Sequence, residues 1–194
     1  MKHKDWTDRP SAEQLRNELS RLQRCSKWYS VVRQTLCIFL ILATVAVLVL
    51  NLWLPILQVN GTSMEPTLAD GEIVWCRKTG QFQKGDVIAF YYQDKVLIKR
   101  VIAGPGQSVN ILEDGTVFVD QVKIREPYVT KAALGYCDRQ FPYRVPEGQY
   151  FVMGDDRVDS TDSRSIGFGC VSTEYIIGKV ELRLWPKADF GWIS

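Results

Sequence analysis

The chain has 194 residues, 46% of them hydrophobic, with 24 lysines and arginines against 22 aspartates and glutamates. That length holds one modest domain and an appendage. The near-balanced charge of +2, with basic residues scattered and no recognition motif among them, excludes a nucleic-acid-binding footprint. The single histidine, His3, confines histidine-based proton transfer to the extreme N-terminus.

Taken in chain order, Ser11-Ala12-Glu13-Gln14 has the spacing of a capping box, and Leu15, Leu19 and Leu22 fall on one helical face. The spacing predicts a short amphipathic helix within a tail of residues 1–34. From Thr35 to Leu57 run 23 residues without a charge, enough to cover about 30 Å of hydrocarbon as a helix. A cleaved signal peptide would have a shorter apolar core followed by a small-x-small site. Here Leu57-Gln58-Val59-Asn60 follows, and the stretch reads as a retained anchor. Lys2, Lys4, Arg9, Arg16, Arg21, Arg24, Lys27 and Arg33 precede it, and a basic flank stays on the cytoplasmic side, so residues 58–194 are expected outside. Trp53 and Pro55 fit an interfacial anchor and a helix terminus.

Beyond Gly71 the pattern is that of strands: Glu72–Arg77, Asp86–Gln93, Val96–Ala103, Ser108–Leu112, Thr116–Ile124, Gln149–Met153 and Ile176–Leu184. A polar turn at Asp94-Lys95 is expected to join the second to the third. Long helical periodicity is absent, so the outer part is expected to be an all-β domain of coiled sheets, with residues 125–148 as a loop insertion. Of the cysteines, Cys76, Cys137 and Cys170 lie beyond the anchor; their spacing matches no metal motif, and one disulfide plus a free thiol or three thiols are both open. No cofactor is implied, and a monomer is the default.

Two residues in this outer part carry chemistry. Ser63 sits in Asn60-Gly61-Thr62-Ser63-Met64-Glu65-Pro66-Thr67-Leu68, six residues past Leu57 and so within ~20 Å of extended chain from the span. Gly61 permits close backbone approach, and the Ser63 amide is a candidate oxyanion donor. Lys99 lies in Leu97-Ile98-Lys99-Arg100-Val101-Ile102. An unperturbed lysine is neutral in only about one molecule in 2,500 at pH 7, so it serves as a base only if desolvated. In a strand, Leu97, Lys99, Val101 and Ala103 share one face, which sets the amine among apolar side chains. Alone, the two motifs read more readily as a loop serine and an edge-strand lysine. A third segment, Gly154-Asp155-Asp156-Arg157-Val158-Asp159-Ser160-Thr161-Asp162-Ser163-Arg164, is polar and turn-rich. It resembles a calcium loop loosely, but position 166 is Ile166 where the closing glutamate belongs, so a buttress for an active site is the better reading.

Together the segments resemble bacterial type I signal peptidases over nearly the whole chain. Gly61-x-Ser63-Met64-x-Pro66-Thr67-Leu68, Gly85 to Phe90, Ile98 to Gly106 and Gly154-Asp155 through Asp162-Ser163-Arg164 follow in the family's order. The resemblance implies a membrane-anchored serine endopeptidase of the bacterial cytoplasmic membrane that removes signal peptides from preproteins at small-x-small sites. Its partners would be those preproteins, the lipid bilayer and the secretion translocon. By position, Ser63 would be the nucleophile, Lys99 the general base and Ser160 the hydroxyl orienting the amine. Gly61 would lie beside the oxyanion site, Asp162 and Arg164 would pair to hold their loop, and Val59, Ile88 and Ile98 would line the substrate pockets. Two positions depart from the family pattern: Gly61 stands where some members carry a serine, leaving the second oxyanion donor open, and Asp156 stands where an asparagine is usual. Two rival readings are a self-cleaving repressor-like Ser/Lys peptidase and a catalytically inactive relative that assists assembly of surface proteins such as pili. The first lacks its DNA-binding module here, and retention of Ser63 and Lys99 argues against the second.

Overall fold

The computed structural model describes residues 12–53 and 55–193 of the chain. They fall into two compact units divided between Leu50 and Asn51.

The first unit is carried by one helix, α1 (Ala12–Trp53), with Glu13 in its first turn. Its stretch Trp28–Val49 has a mean hydropathy of 2.2 over 22 residues, and its apolar side chains are exposed on every side. An all-round apolar surface of that length suits hydrocarbon and not a packed core. The expected amphipathic helix and the expected span are thus one continuous helix. It ends earlier than the charge pattern suggested, because Pro55 has no N–H to donate and its ring disfavours helix in the residue before it, and Ile56 and Leu57 belong to a strand. Ser11 lies outside the described residues, as do the side chains of Leu15, Leu19, Leu22 and Cys25.

The second unit is mainly β. Its strands are β1 (Ile56–Gln58), β2 (Ile73–Arg77), β3 (Val87–Tyr92), β4 (Lys95–Ala103), β5 (Ser108–Ile111), β6 (Val117–Val119), β7 (Val122–Lys123), β8 (Tyr143–Arg144), β9 (Gln149–Met153), β10 (Val171–Ser172), β11 (Ile176–Trp185) and β12 (Gly191–Trp192). Among the described residues they form two antiparallel sheets. One runs β1-β2-β11-β3-β4-β9-β10 with β12 added to β11, and the other β7-β6-β5-β8. Three apolar clusters fill the spaces. Val109, Ile111, Val117 and Val119 of the small sheet meet Ile102, Phe151 and Met153. Val59, Met64, Leu68, Val74, Val87, Ala89, Ile98 and Val180 form a second cluster, and Ile88, Phe90, Val101, Val152 and Phe168 a third.

The differences from the strand pattern have local causes. Tyr92 pairs with Lys95, so the β3–β4 turn is Gln93-Asp94, one residue earlier than expected, with Gln93 at a φ of 51°. Asp120 and Gln121, at φ 50° and 67°, make a tight turn that splits the expected strand Thr116–Ile124 into β6 and β7. The β4–β9 pairing slips between Val101 and Ala103. A bulge exchanges the faces, so Ala103 leaves the side of Lys99 and joins Ile102 in the small-sheet cluster. Cys76, Cys137 and Cys170 are free thiols, which closes the disulfide alternative in this structure.

Candidate active site

Ser63 stands in a turn that leaves β1 and is pinned at both ends. Val59 N donates to Glu72 O at 2.8 Å, Gly71 N to Val59 O at 2.9 Å, and Leu68 N to Met64 O at 2.9 Å. Met64 and Leu68, 2% and 0% exposed, anchor the turn in the second cluster while Ser63 stays half-buried. Gly61 N donates to Asp70 Oδ1 at 2.7 Å, and its φ of +92° is one that side-chain-bearing residues rarely adopt. Its amide is therefore occupied. Among the described residues, the Ser63 amide has no acceptor.

Lys99 lies mid-strand in β4, directly opposite Ile88 of β3, and opposed residues project to the same face of a sheet. It is 3% exposed, and its Nζ donates to Ser160 Oγ at 2.9 Å. Burial pulls its ammonium from 10.5 to about 8; Arg164 adds to the lowering, while Asp162, Asp155 and Asp156 oppose it. A lysine of this kind has a useful neutral fraction near neutrality.

Ser160 is set by its own loop. Asp162 and Arg164, both 0% exposed at the side chain, form a two-pronged pair, Arg164 Nε to Asp162 Oδ1 and Nη2 to Oδ2, each 2.8 Å. Asp162 Oδ2 also accepts from Gly154 N at 3.0 Å, and Arg164 Nη2 donates to Ser160 O at 3.3 Å. Gly154 is the hinge of the arrangement. A Cβ there would collide with Ser160 Oγ and with the Ser63 carbonyl oxygen, so these two groups converge on the space that the bare glycine leaves open. Asp156 N donates to that Ser63 carbonyl at 3.2 Å, a second tie between loop and turn. Ser160 Oγ thus meets the Lys99 amine on one side and approaches the Ser63 carbonyl at Gly154 on the other, while Asp162 and Arg164 hold the Ser160 loop and Gly61 stands on the same turn as Ser63.

A small cavity of about 30 Å³ lies beside Ser63, lined by Val59, Gly61, Met64, Val96, Leu97 and Ile98 among others. Ile88 does not line it; fully buried in the third cluster, it covers the strand face of Lys99. Cavities of about 600 and 550 Å³ lie elsewhere and have neither Ser63, Lys99 nor Ser160 in their walls. Thiols offer no rival nucleophile in the core, since burial pushes Cys76 up to about 12 and raises Cys170 as well.

Several further residues support the site: Thr67, Arg100 and Asp155 stand inside the sequence motifs without a role of their own there, and Arg183 lies outside every motif. Arg100, 1% exposed, donates to Asp155 through Nε at 2.9 Å and Nη2 at 2.7 Å, stacks its guanidinium 3.9 Å from the Tyr128 ring and reaches Thr67 Oγ1 at 3.2 Å. Thr67 Oγ1 donates to Asp155 at 2.5 Å, and Arg183 Nη2 donates to the Thr67 carbonyl, fixing the far end of the Ser63 turn. Asp156 Oδ1 accepts from Val158 N and Asp159 N at 3.0 and 3.3 Å, a task that uses only acceptor lone pairs and that an asparagine oxygen performs equally. Of the acidic positions that resembled a calcium loop, Asp155 and Asp162 are thus committed to arginines and Asp156 to backbone amides.

The family model "Signal peptidase, peptidase S26" matches residues 31–185. Signal peptidase I T of Bacillus subtilis (strain 168) is 34% identical over 141 residues, covering 66% of this chain and 72% of that protein. Signal peptidase IB of Staphylococcus aureus (strain N315) is 37% identical over 152 residues, covering 68% and 78%. A crystal structure of a signal peptidase I from Enterococcus faecalis V583 is 30% identical, covers 51% of this chain and 96% of its own, and superposes with a TM-score of 0.42. With the family model matching most of this chain, and relatives more than 30% identical over about three quarters of their own length, the chain belongs to the signal peptidase family, peptidase S26.

Proposed function

We propose that the protein removes signal peptides from exported preproteins by a serine mechanism in which Ser63 is the nucleophile and Lys99 the general base. Family membership supports a serine peptidase acting on signal peptides. The observation that carries the assignment of roles is the buried Lys99 amine, lowered to about 8 and held 2.9 Å from Ser160 Oγ beside the Ser63 turn.

In this reading neutral Lys99 takes the proton of Ser63 Oγ as that oxygen bonds to the scissile carbonyl carbon. The Ser63 amide faces the developing oxyanion. Lys99 returns the proton to the leaving amine, which departs as the mature protein's N-terminus, and the signal peptide remains esterified to Ser63. Water, deprotonated by the same amine, then hydrolyses the ester and restores both residues. Asp162 and Arg164 fix Ser160, and Ser160 aims the amine. With the Gly61 amide taken by Asp70, Thr62 or water is left as the second oxyanion donor.

The substrate class rests on the cavity beside Ser63. About 30 Å³ is room for two or three water-sized spheres at most, which suits an alanine methyl and not an aromatic ring. Val59 and Ile98 supply its apolar wall. The protein is anchored by α1 in the bacterial cytoplasmic membrane, N-terminus inside, and meets its substrates at the bilayer surface next to the translocon.

The test uses the full chain in detergent with a preprotein carrying alanine at the first and third positions before the cut. That precursor is expected to be processed, and its counterpart with phenylalanine at the first position to be slower by 10²-fold or more, since a clash in a closed pocket forfeits transition-state binding. Equal rates and the same cleavage site for both would refute the pocket. Absence of cleavage of either precursor by the folded protein would favour the assembly-factor alternative.

A further inference from the structure

We propose that residues 126–139 are a strap that positions the loop of residues 154–165, with Glu126 and Arg139 as positioning residues that act on Lys99 through Arg164 and Ser160. The proposal rests on the Ser63 and Lys99 reading above and adds residues that no family motif marks.

The loop that carries Ser160 is bound to this segment at three places, and the residue that follows it at a fourth. At the start of the strap, Glu126 pairs with Arg157: Nη1 donates to Oε2 at 3.2 Å, and Nη2 to Oε1. Arg157 is 1% exposed, and its Nε donates to Gly154 O at 3.1 Å. The carboxylate of Glu126 therefore holds the guanidinium that fixes the carbonyl of Gly154, the residue on which Ser160 Oγ and the Ser63 carbonyl converge.

In the middle, Leu134 O accepts from Arg164 Nη1 at 2.6 Å, and the same nitrogen donates to Arg157 O at 2.8 Å. Gly135 lies so close that a Cβ would collide with the Arg157 carbonyl and stand 2.6 Å from Arg164 Nη1. Arg164 thus has Asp162 on two of its nitrogens and the strap on the third. Toward the end, Arg139 Nε donates to Ser163 O at 2.8 Å and Nη2 to Ser165 O at 3.2 Å, so one guanidinium bridges the carbonyls on both sides of Arg164. Its plane lies 4.1 Å from the Tyr143 ring, which restricts its rotamers. Finally, Ile166 N donates to Asp138 Oδ1 at 2.6 Å.

The strap is itself docked on the small sheet. A Cβ on Gly115, in the β5–β6 turn, would stand 2.5 Å from Ala133 N, and Leu134, Phe141 and Tyr143 pack on the cluster of Val109, Val117 and Val145. The second sheet therefore reaches the site through this segment. A polar loop of 12 residues with its carbonyls turned inward does not hold its shape by apolar burial, so its geometry is set by the arginines that fill those carbonyls.

The charged groups acting on Lys99 are Asp155, Asp156, Asp162 and Arg164, all from this loop, while β3 presents only Ile88. Loosening the strap withdraws Arg164 and admits water. Both changes favour the ammonium, so the amine deprotonates at higher pH.

The experiment compares Arg139→Lys and Glu126→Gln with wild type, as full chains in detergent on one preprotein. A lysine in place of Arg139 keeps the charge but loses the fork that spans two carbonyls. The expected result for each is a kcat lower by about tenfold or more with an almost unchanged KM, because misplacing a catalytic group costs turnover more than binding. The acidic limb of kcat/KM is expected to move up by about half a pH unit or more. Val171→Ala, a cavity in the third cluster, which holds no strap residue, is the control for plain destabilisation: it lowers Tm and leaves the limb in place. Wild-type kcat and limb in folded Arg139→Lys and Glu126→Gln would overturn the strap, as would an equal limb shift in Val171→Ala. Lys99→Arg run alongside separates the two levels. If it is inactive and the strap variants are normal, the strap alone fails; if it retains turnover, the base assignment fails and takes the strap with it.

Discussion

Lys99 is a cation in a place that disfavours cations, and the sign of that penalty follows from its lowered pKa. Between pH about 8 and 10.5 the unfolded chain holds a proton that the folded chain has released, so folding gains as pH rises through that window and bears the cost below it. That cost is of the order of 3 kcal/mol. A surface lysine would cost nothing, so a buried one beside a turn serine points to chemistry and not to packing. Ser63, Lys99 and Ser160 could be named as candidates from the sequence because each sits in a short motif whose order is informative, and the structure joins Lys99 to Ser160. Asp70, Glu126 and Arg139 could not, because Asp70 and Arg139 bind backbone groups and Glu126 binds a distant guanidinium from an unpatterned loop, and neither periodicity nor spacing records such ties. Gly154 is the most exposed point of the design to mutation. In Gly154→Ala the new methyl would collide with Ser160 Oγ and the Ser63 carbonyl and stand 2.6 Å from Ser160 Cβ, and the backbone oxygen has no rotamer by which to withdraw. Cleavage is expected to fall about 10²-fold or more while circular dichroism stays that of a folded β protein, since small displacements at a reacting centre are costly; a normal rate in Gly154→Ala would show that the two groups need not meet there.

Among the elements, β4 does the most. Its first half places Ile98 beside the small cavity and Lys99 against Ile88, and the bulge after Val101 turns its second half toward the small sheet. The long strands were readable from β-branched and aromatic runs. β8, β10 and β12 have two residues each, too few to show alternation, and β1 was hidden because Ile56 and Leu57 continue the apolar run of the preceding helix. For α1 the expected outcome is topological. Protease added to right-side-out vesicles should digest residues beyond Pro55 and spare the N-terminal tail, as the eight basic residues before the apolar stretch require. A protected β unit would reverse the orientation and exclude exported preproteins as substrates.

At the scale of the molecule, the chain divides the work between an apolar helix and a β unit in which two sheets converge on one loop. The large sheet supplies Lys99 and the start of the Ser63 turn, and residues 126–139, packed on the small sheet, hold the loop whose Ser160 Oγ meets the Lys99 amine. The central claim, that Lys99 is the base for Ser63, is tested most directly by the pH dependence of kcat/KM for preprotein cleavage in wild type and Lys99→Arg. A guanidinium retains the charge and much of the volume but does not release its proton, so a structural cation is kept while a base is removed. The account predicts a wild-type rate that rises with pH through an apparent pKa near 8, and a folded Lys99→Arg protein slower by about 10²-fold or more at every pH. Turnover in Lys99→Arg close to wild type, with the same pH limb, would contradict it.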